Sequence, residues 1–325
     1  MRAIIPAAGK GTRLRPHSYV IQKSLLEVAG KSILDHLLAS LQPAGVSEVA
    51  MVINQGDMRI PQYVEEHYKM PFRFYEQKEP KGLAHAIMTA GDELIDEPVL
   101  IILGDTLVDT DFSKICTQGH SVLGVMEVED PRRFGVAVLN DAGRVTLLEE
   151  KNPQPRSNLA LVGLYYIEKG SLLRSAIEEL MTKNILTNGE YQVTDALQIM
   201  LDRGEVFTTV TMDGWYDAGT VDALLHTHSH LLKTAPLAQS TADYLVTGDV
   251  FIHDSATVEQ SVLGPGVSIG QGAIVRDSVI SNSIIGRDTV VEASTLERSL
   301  IGNGAQVIGE RRRLNIADTS YVMTA

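Results

Sequence analysis

A cluster of glycines and basic residues follows the first apolar run of the chain. Gly9 and Gly11 are succeeded at once by Arg13 and Arg15, and Lys23 follows within the same stretch. Glycine lets backbone N–H groups approach a phosphate closely, and cationic side chains neutralise its charge. Several positive charges close together beside glycine disfavour folding, because they repel one another. The same charges suit the binding of a polyphosphate. The pattern therefore predicts a phosphate-binding loop.

This loop differs from two familiar phosphate-binding motifs. It lacks the Gly-Lys-Ser/Thr ending of a Walker A loop, and Leu14 stands where the dinucleotide fingerprint has its third glycine. A Gly-x-Gly pair after a strand is by itself more often an ordinary βα turn. The identity of the ligand therefore depends on residues elsewhere in the chain.

Two aspartates far apart in the sequence form a candidate metal pair. Asp105 follows the aliphatic run Val99–Leu103, and ligands of doubly wound sheets bind at the carboxyl ends of strands. Asp217 is followed by Ala218 and Gly219. Taken singly, the first is typical of a helix cap and the second of a turn. Together they suit Mg²⁺, which prefers one or two carboxylates with water and substrate phosphate oxygens.

The elements that must position these residues alternate along the chain from its start to Lys233. Continuous apolar runs indicate strands that are buried on both faces, and helical spacings separate them. This order predicts an α/β fold with a doubly wound, mixed but mainly parallel sheet. Strands are expected at Ala3–Ile5, Val49–Ile53, Val99–Leu103, Val122–Val125, Val136–Leu139, Val145–Leu148 and Leu159–Ile167. Helices are expected at Ile33–Leu41, Ile60–Tyr68, Leu83–Leu94, Leu172–Met181, Thr194–Arg203 and Val221–Lys233.

The C-terminal part of the chain contains an internal repeat. Three segments, starting at Ala256, Ser278 and Ser294, align without gaps, and the first spacing exceeds the second by one hexapeptide unit. Aliphatic-Gly pairs recur through the same region. Nearly constant spacing without hairpin turn pairs favours a parallel β-helix of hexapeptide rungs over unrelated antiparallel strands. The aliphatic-Gly pairs are Leu263-Gly264, Ile269-Gly270, Ile285-Gly286, Ile301-Gly302 and Ile308-Gly309.

Composition shifts divide the chain into four parts. These are an α/β domain over 1–235, a linker over 236–249 that contains Pro236 and a polar stretch, a β-helix over 250–309, and a tail over 310–325 that carries Arg311-Arg312-Arg313. The linker is assigned because its proline and polar residues fit neither the alternation of strands and helices before it nor the hexapeptide repeat after it.

The overall composition excludes several classes of protein. Lys and Arg total 28 against 41 Asp and Glu, and the net charge of −13 argues against sequence-independent binding of nucleic acid. With Cys116 as the one cysteine, neither a disulfide framework nor a cysteine-type zinc cluster can form. No apolar run suits a signal peptide or a membrane span. The expected compartment is the reducing cytoplasm.

Six motifs in the right order, one of them made of three stretches, resemble those of one enzyme family. The loop Gly9-Lys10-Gly11-Thr12-Arg13-Leu14-Arg15-Pro16 resembles the Gly-x-Gly-Thr-Arg-Leu-x-Pro signature of the sugar-1-phosphate nucleotidyltransferases. The likeness covers nearly the whole chain and is greatest to glucose-1-phosphate thymidylyltransferases of the long type, which carry a C-terminal left-handed β-helix. The other matching segments are Lys23–Leu26, Tyr75–Ala84, Leu103–Asp105, the sugar-pocket stretches Phe134–Val136, Glu149–Lys151 and Val162–Tyr165, and Trp215–Thr220.

The resemblance implies a reaction and a set of residues that perform it. The phosphate of a sugar 1-phosphate displaces pyrophosphate from a nucleoside triphosphate, with Mg²⁺ as cofactor. The expected substrates are glucose 1-phosphate and dTTP. The implied catalytic residues are Arg13 and Lys23, and the implied metal ligands are Asp105 and Asp217. The implied nucleotide-binding residues are Ala8, Gly9, Gly11, Thr12, Gln77 and Gly82, and the implied sugar-phosphate residues are Gly135, Glu150, Lys151 and Trp215.

A few positions depart from the family pattern. The family usually has a proline after each of two lysines, but here Ser24 follows Lys23 and Ser32 follows Lys31. After the signature proline, His17-Ser18 replaces the usual Leu-Thr. Asn152 separates Lys151 from its usual proline neighbour. No ligand group is lost, so these changes bear on loop geometry and nucleotide preference.

Several alternatives stay open from the sequence. Uridylyl transfer to glucose 1-phosphate and guanylyl transfer to mannose 1-phosphate use the same motifs, and a sugar-nucleotide sensor could use the same fold. A second acyltransferase activity in the β-helix would need a base such as His253. We expect His226, His228 and His230 to serve packing or the surface, since residues two apart do not share a helix face. The β-helix is expected to mediate homo-oligomerisation, because its ends and flat faces are open.

Overall fold

The computed structural model describes residues 1–309. The chain divides into two compact units. Met1–Glu27 and Lys31–Leu224 form the first, and Val28–Gly30 joins the chain from Leu225 onward in the second. The predicted tail over 310–325, with its three arginines, lies outside the described residues.

The first unit is built on a mixed sheet of nine strands. Its order is β10-β9-β11-β6-β1-β4-β5, with β8 against β11 and β12 against β8. Strands β1, β4, β5 and β6 run parallel, whereas β11 runs antiparallel to β6, β8 and β9. The strands are β1 Arg2–Pro6, β4 Glu48–Asn54, β5 Phe72–Gln77, β6 Val99–Ile102, β8 Ser121–Glu127, β9 Gly135–Leu139, β10 Val145–Glu150, β11 Leu159–Ile167 and β12 Phe207–Thr211. The seven predicted strands are all confirmed, including the β9–β10 hairpin.

The continuous apolar runs form the centre of this sheet. Ala3, Ile4 and Ile5 are fully buried between β4 and β6. Helices cover both faces, and a Ser32–Asp35 capping box begins the first of them. The helices are α1 Ile33–Leu41, α2 Arg59–His67, α3 Leu83–Thr89, α4 Phe112–Ile115, α5 Gly170–Thr182, α6 Val193–Asp202 and α7 Val221–Leu232. The α3 helix is shorter than predicted, because a 3₁₀ turn at Gly91–Glu93 replaces its last turn.

Two small ladders lie outside the large sheets. Strands β7 Thr106–Asp109 and β13 Gly214–Asp217 pair antiparallel, although they are far apart in the sequence. Short strands β2 Glu27–Val28 and β3 Lys31–Ser32 form a hairpin whose turn, Ala29-Gly30, has positive φ at both residues. The β7–β13 ladder is the one that shapes the functional site.

The C-terminal unit contains three sheets of four parallel strands. Successive strands of a sheet follow one another at nearly constant spacing, as in Tyr244↔Ser261 and Val279↔Thr295, an arrangement consistent with a left-handed β-helix. The first sheet holds β14 Tyr244–Val246, β17 Ser261–Leu263, β20 Val279–Ser281 and β23 Thr295–Glu297. The second holds β15 Val250–Ile252, β18 Val267–Ile269, β21 Ser283–Ile285 and β24 Leu300–Ile301. The third holds β16 Thr257–Glu259, β19 Ile274–Arg276, β22 Val290–Glu292 and β25 Gln306–Ile308.

The aliphatic-Gly pairs do not form one column in this β-helix. Ile269, Ile285 and Ile301 stack within the second sheet, while Leu263 belongs to the first. Ile308 lies in the third sheet and is 64% exposed. The repeat therefore marks corners on all three faces. The first strand also starts earlier than expected, since β14 lies inside the stretch 236–249 that the composition assigns to a linker.

The histidines of α7 serve the roles expected of them. His228 is buried, and its Nδ1 accepts a hydrogen bond from the Ala29 backbone N–H at 2.9 Å. His226 is exposed and His230 is half-buried. In residues 1–309, no helix combines the length and apolarity that crossing a membrane requires.

Candidate active site

A cleft opens at the carboxyl ends of β1 and β6. The Gly104 N–H donates to the Pro6 carbonyl, which ties these two strand ends together, and the Ala7 N–H donates to the Val52 carbonyl of β4. The cleft has a volume of about 320 Å³. Six predicted residues line it: Ala8, Gly9, Lys23, Gln77, Gly82 and Asp105. Pro80, Leu83 and Leu103 belong to the matching segments and also line the cleft, whereas Ala86 and Glu190 lie outside every motif in the sequence.

The glycine loop continues away from the cleft lining. Gly11 has φ +57°, and its carbonyl accepts a hydrogen bond from the Ser18 hydroxyl at 2.7 Å. A 3₁₀ turn at Thr12–Leu14 follows, anchored by the fully buried Leu14 side chain. Gly11, Thr12 and Arg13 therefore stand beside the cleft and are absent from its lining.

The exposed side chain of Arg13 reaches the strand that carries the second aspartate. Its Nη2 atom lies 2.9 Å from the position that a Cβ on Gly219 would occupy. The Gly219 N–H donates to an oxygen of Asp217. Because residue 219 has no side chain, the guanidinium can lie over the backbone next to Asp217. No local pattern in the sequence indicates this contact.

The β7–β13 ladder brings the two predicted metal ligands together. Asp217 pairs with Thr106 in this ladder, and the Ala218 N–H donates to the Asp105 carbonyl at 3.2 Å. Lys23 Nζ lies 2.5 Å from Asp105 Oδ2 and 4.0 Å from Asp217 Oδ1. The Lys23 residue is only 9% exposed, whereas the two carboxylates are 41% and 50% exposed. One buried ammonium thus faces two accessible carboxylates.

The segment that precedes Lys23 is held by the start of α2. The Arg59 guanidinium donates to the Val20 carbonyl at 2.7 Å, and the Gln22 amide donates to the Asp57 carboxylate. Hydrogen bonds from Arg59 lower the pKa of Asp57 to about 2, so this acceptor is charged at neutral pH. The network positions the 3₁₀ turn Lys23–Leu25 against the cleft.

The predicted base-recognition loop is paired with a distant segment. The Ala84 N–H donates to the Tyr191 carbonyl, and the Tyr191 N–H donates to the Lys81 carbonyl. Gly82 lies between them at φ +107°, where a Cβ would collide with the Tyr191 backbone. Only glycine therefore fits at this position, and motif reasoning gave no sign of the Tyr191 contact.

The four predicted sugar-phosphate residues form a second cluster. Lys151 Nζ lies 3.4 Å from Glu150 Oε1, and a Cβ on Gly135 would lie 2.8 Å from Glu150 Oε2. The Trp215 ring contacts the Phe134 ring edge to face at 5.1 Å between centroids. Trp215 and Asp217 are two apart on β13 and so share a face, which joins this cluster to the aspartate pair.

The neighbouring Glu149 points elsewhere, as its position on a strand predicts. It accepts hydrogen bonds from the Asn152 amide at 2.9 Å and from the Arg156 N–H at 3.0 Å. Glu149 therefore stabilises the 151–156 loop, and Glu150 is left facing Gly135 and Lys151.

Comparison with known proteins assigns the family. Residues 2–234 match the model of the nucleotidyl transferase family. The chain belongs to this family. A nucleotidyl transferase from Streptomyces griseus, described as glucose-1-phosphate thymidylyltransferase, is 34% identical over 96% of this chain and 90% of its own length. A low-salt glycan biosynthesis nucleotidyltransferase of Haloferax volcanii is 30% identical over 99% of both chains. The crystal structure of a UDP-glucose pyrophosphorylase complexed with UDP-glucose superposes with a TM-score of 0.62, at 25% identity, over 72% of this chain and 98% of that one.

The donor set of this nucleotidyl transferase fits a hard divalent cation held partly by substrate. Within residues 1–309, no group of three or more His, Cys, Asp or Glu side chains could hold a metal ion. Two carboxylates, Asp105 and Asp217, converge on one point. Mg²⁺ commonly binds one or two carboxylates and takes its other ligands from water and phosphate.

A third acidic group near the sugar cluster escaped the motif search. A Cβ on Gly135 would meet the Thr194 hydroxyl, which places the start of α6 against the cluster. Burial raises the pKa of the next residue, Asp195, while the Thr187 hydroxyl and the Lys151 charge act in the opposite direction. In the sequence, the stretch 192–195 indicates only the start of a helix. Its place beside the pocket is set by tertiary packing.

Proposed function

We propose that this protein transfers a thymidylyl group from dTTP to glucose 1-phosphate, with Mg²⁺ as cofactor and with pyrophosphate as the second product. One observation carries the proposal: Lys23 Nζ lies within 4.0 Å of both Asp105 and Asp217 at a cleft that also contains Gln77 and Gly82. This arrangement supports a phosphate-binding cation, two metal ligands and a base-reading amide around one volume.

The proposed chemistry is a single in-line displacement. An oxygen of the sugar phosphate forms a bond to the α-phosphorus of the nucleotide, and the bond from that phosphorus to the bridging oxygen breaks. The bridging oxygen keeps the electron pair and leaves as pyrophosphate. Because the nucleophile is already an anion, no general base is required. Positioning and electrostatic stabilisation therefore supply most of the rate.

Each cationic residue has a separate part in this proposal. Arg13 stabilises the leaving pyrophosphate with its forked donors, and Lys23 stabilises charge on the triphosphate. Lys151 neutralises the phosphate of the sugar. Glu150, beside it, accepts hydrogen bonds from the sugar hydroxyls, and Trp215 forms a wall of the sugar pocket. Backbone N–H groups of Ala8, Gly9, Gly11 and Thr12 complete the nucleotide phosphate site.

Asp105 and Asp217 are the proposed Mg²⁺ ligands. When bound, the cation polarises the α-phosphate and offsets the repulsion between the two anionic substrates. The contact of Lys23 Nζ with Asp105 holds that carboxylate oriented at the cleft. The two roles are compatible, since each carboxylate has two oxygens.

The base preference rests on one amide and on the relatives. Gln77 offers a donor and an acceptor, which matches the imide edge of thymine or uracil. A relative covering 96% of this chain is described as a glucose-1-phosphate thymidylyltransferase, and this supports dTTP. UTP is the alternative donor, since a structural neighbour is described as a UDP-glucose pyrophosphorylase.

Pyrophosphate release tests the proposal directly. The full chain would be incubated with Mg²⁺, glucose 1-phosphate and each nucleoside triphosphate in turn. Fastest release with dTTP is expected. Fastest release with UTP would replace the donor, whereas fastest release with GTP and mannose 1-phosphate would replace both substrates. No release from a folded sample with any pair would favour a sugar-nucleotide sensor.

We further propose that two or more copies associate through the β-helix in the cytoplasm. Leu245, Val262 and Val279 are paired in register along the first sheet of the β-helix, and the outer two are 58% and 49% exposed. A row of exposed aliphatic side chains favours a protein partner. A monomeric mass in light scattering would contradict the association.

The sugar cluster makes a separate prediction at Gly135. A Gly135→Ala variant is expected to raise the KM for glucose 1-phosphate by about tenfold, because the new Cβ would collide with the Thr194 hydroxyl and lie 2.8 Å from Glu150 Oε2 and so would displace both side chains. The KM for dTTP is expected to stay unchanged. Steady-state kinetics with each substrate varied separately would measure this split.

A glycine in the same hairpin provides the matched control. Gly143 has nothing within 4 Å of its hypothetical Cβ, although its φ is +74°. A Gly143→Ala variant therefore lowers stability slightly and leaves both KM values unchanged. Equal rises in both KM values for Gly135→Ala would contradict a role confined to the sugar site.

A further inference from the structure

The carboxamide of Gln77 is held by a histidine that does not line the cleft. Gln77 ends β5 and is only 8% exposed, and its Nε2 lies 2.9 Å from His85 Nδ1 on α3. An amide nitrogen can only donate, so His85 Nδ1 accepts. In this arrangement the imidazole is neutral and carries its proton on Nε2.

This contact decides which end of the amide the cleft receives. With the Gln77 nitrogen turned toward His85, the oxygen is the end of the carboxamide that is left for the cleft, which Gln77 lines. The two ends of a carboxamide are nearly equal in size. Shape alone therefore does not select an orientation, and a hydrogen bond from outside the cleft does.

The orientation matters because the two classes of pyrimidine present opposite groups. Thymine and uracil carry an N3–H donor between two carbonyls, whereas cytosine carries an unprotonated N3 beside an amino group. An amide oxygen facing the cleft accepts from the N3–H of an imide base. An amide NH₂ facing the cleft would instead suit the cytosine N3.

We propose that His85 is a positioning residue that selects imide bases over cytosine by holding the Gln77 carboxamide with its oxygen toward the cleft. The inference rests on the proposed nucleotidyl transfer from a pyrimidine nucleoside triphosphate, and it goes further by naming the residue that sets the base class. His85 acts through Gln77 and touches no substrate itself.

The backbone that carries His85 is tied to a second segment of the fold. The Ala84 N–H donates to the Tyr191 carbonyl at 3.0 Å, and the Thr89 hydroxyl donates to the His85 carbonyl at 3.0 Å. The imidazole thus projects from an anchored helix start, and its Nδ1 contacts the Gln77 amide at 2.9 Å.

The same geometry gives the selectivity a pH dependence. Burial lowers the pKa of His85 below its usual 6.5; the charge of Lys81 acts in the same direction and that of Glu79 opposes it. The facing group from β5 is the uncharged Gln77 amide. His85 is therefore neutral at pH 7. As the pH falls through its pKa, Nδ1 becomes a donor, and Gln77 must turn its oxygen toward the ring.

The ratio of kcat/KM for dTTP to that for dCTP tests the inference. Both nucleotides share the same triphosphate, so its titration cancels in the ratio. In the unmodified protein the ratio is expected to fall about tenfold between about pH 8 and a pH below the lowered pKa of His85, since one hydrogen bond reverses its direction. The fall should appear as a change in the ratio of the two KM values.

Two variants separate positioning from a structural role. His85→Ala is expected to show a ratio lowered about tenfold at pH 8 that no longer depends on pH, because nothing orients the amide. His85→Glu offers a carboxylate, which can only accept a hydrogen bond from the Gln77 amide nitrogen. It should restore the high ratio at pH 8. Thermal melting of both variants identifies a loss of fold.

The outcomes distinguish this inference from the proposed function. If the unmodified protein prefers dTTP and His85→Ala keeps the same ratio and pH profile, the role of His85 is overturned while the reaction stands. If the unmodified protein releases no pyrophosphate with any nucleotide, the reaction is overturned. In that case the binding affinities for dTTP and dCTP, measured by calorimetric titration, test the role of His85 independently of the reaction. Equal affinities in the unmodified protein would overturn that role.

Discussion

An Asp105→Asn variant is expected to lose activity by about a thousandfold in kcat, equivalent to about 4 kcal/mol of transition-state stabilisation. Asp105 is a proposed Mg²⁺ ligand and the closest partner of Lys23, at 2.5 Å. The amide keeps the size of the side chain and removes its charge. Both the metal affinity and the orientation of the Lys23 ammonium therefore suffer at once. Pyrophosphate release at saturating substrates measures the loss.

The dependence on Mg²⁺ identifies the cause of that loss. Half-saturation in the Asp105→Asn variant is expected at a Mg²⁺ concentration at least about tenfold higher. The melting temperature should change little, because the Asp105 side chain is 41% exposed and Asp217 stays within 4.0 Å of the Lys23 ammonium. Asp141→Asn, in the exposed turn of the β9–β10 hairpin, is the matched control. An unchanged Mg²⁺ requirement in Asp105→Asn would remove Asp105 from the proposed metal ligands.

The proximity of the two aspartates is a feature of the site that local sequence patterns do not predict. The motif order identified both residues, yet no local signal indicates the ladder that joins them. Strands β7 and β13 are both short and lie far apart in the sequence. Their pairing is set by tertiary structure, because so short a strand has no independent periodicity. Proximity of Asp105 and Asp217 could therefore be expected from the resemblance alone.

The sheet was easier to predict for a physical reason. Strands such as Val99–Ile102 are buried on both faces, so their sequences are continuous aliphatic runs that few other elements share. Strand β14, Tyr244–Val246, has no such signature, since its middle residue Leu245 faces solvent and the polar Asp243 and Thr247 flank the strand. It could not be told from a linker until its partner Ser261–Leu263 was known. Burial on both faces is thus what made a strand recognisable from its sequence.

Contacts between segments were the part of the site that the sequence did not reveal. The motifs named Gln77, Gly82 and Arg13, but their partners are His85, the Tyr191 backbone and Gly219. None of these partners belongs to a phosphate- or metal-binding pattern. They act by limiting space or by orienting a side chain, and these effects depend on distances that only the folded chain defines.

The largest effect expected from a residue outside the cleft lining is at Arg13. An Arg13→Ala variant should lower kcat by roughly 10²–10³, the usual result of removing one preorganised donor from a developing anion. Its guanidinium lies over Gly219 and next to Asp217, where the leaving pyrophosphate is proposed to bind. Rates of pyrophosphate release at saturating substrates, with the melting temperature measured alongside, provide the test.

Arg15 is the matched comparison, because it has the same chemistry two positions further along the same loop. Its guanidinium lies 4.7 Å from the centre of the exposed Tyr19 ring. An exposed contact of this kind contributes only about 0.5–1 kcal/mol, and it does so in the ground state and the transition state alike. Arg15→Ala should therefore change kcat by no more than a few-fold. If the two variants lose activity equally, the rate depends on the total charge of the loop, and the specific placement of Arg13 over Gly219 does not contribute to catalysis.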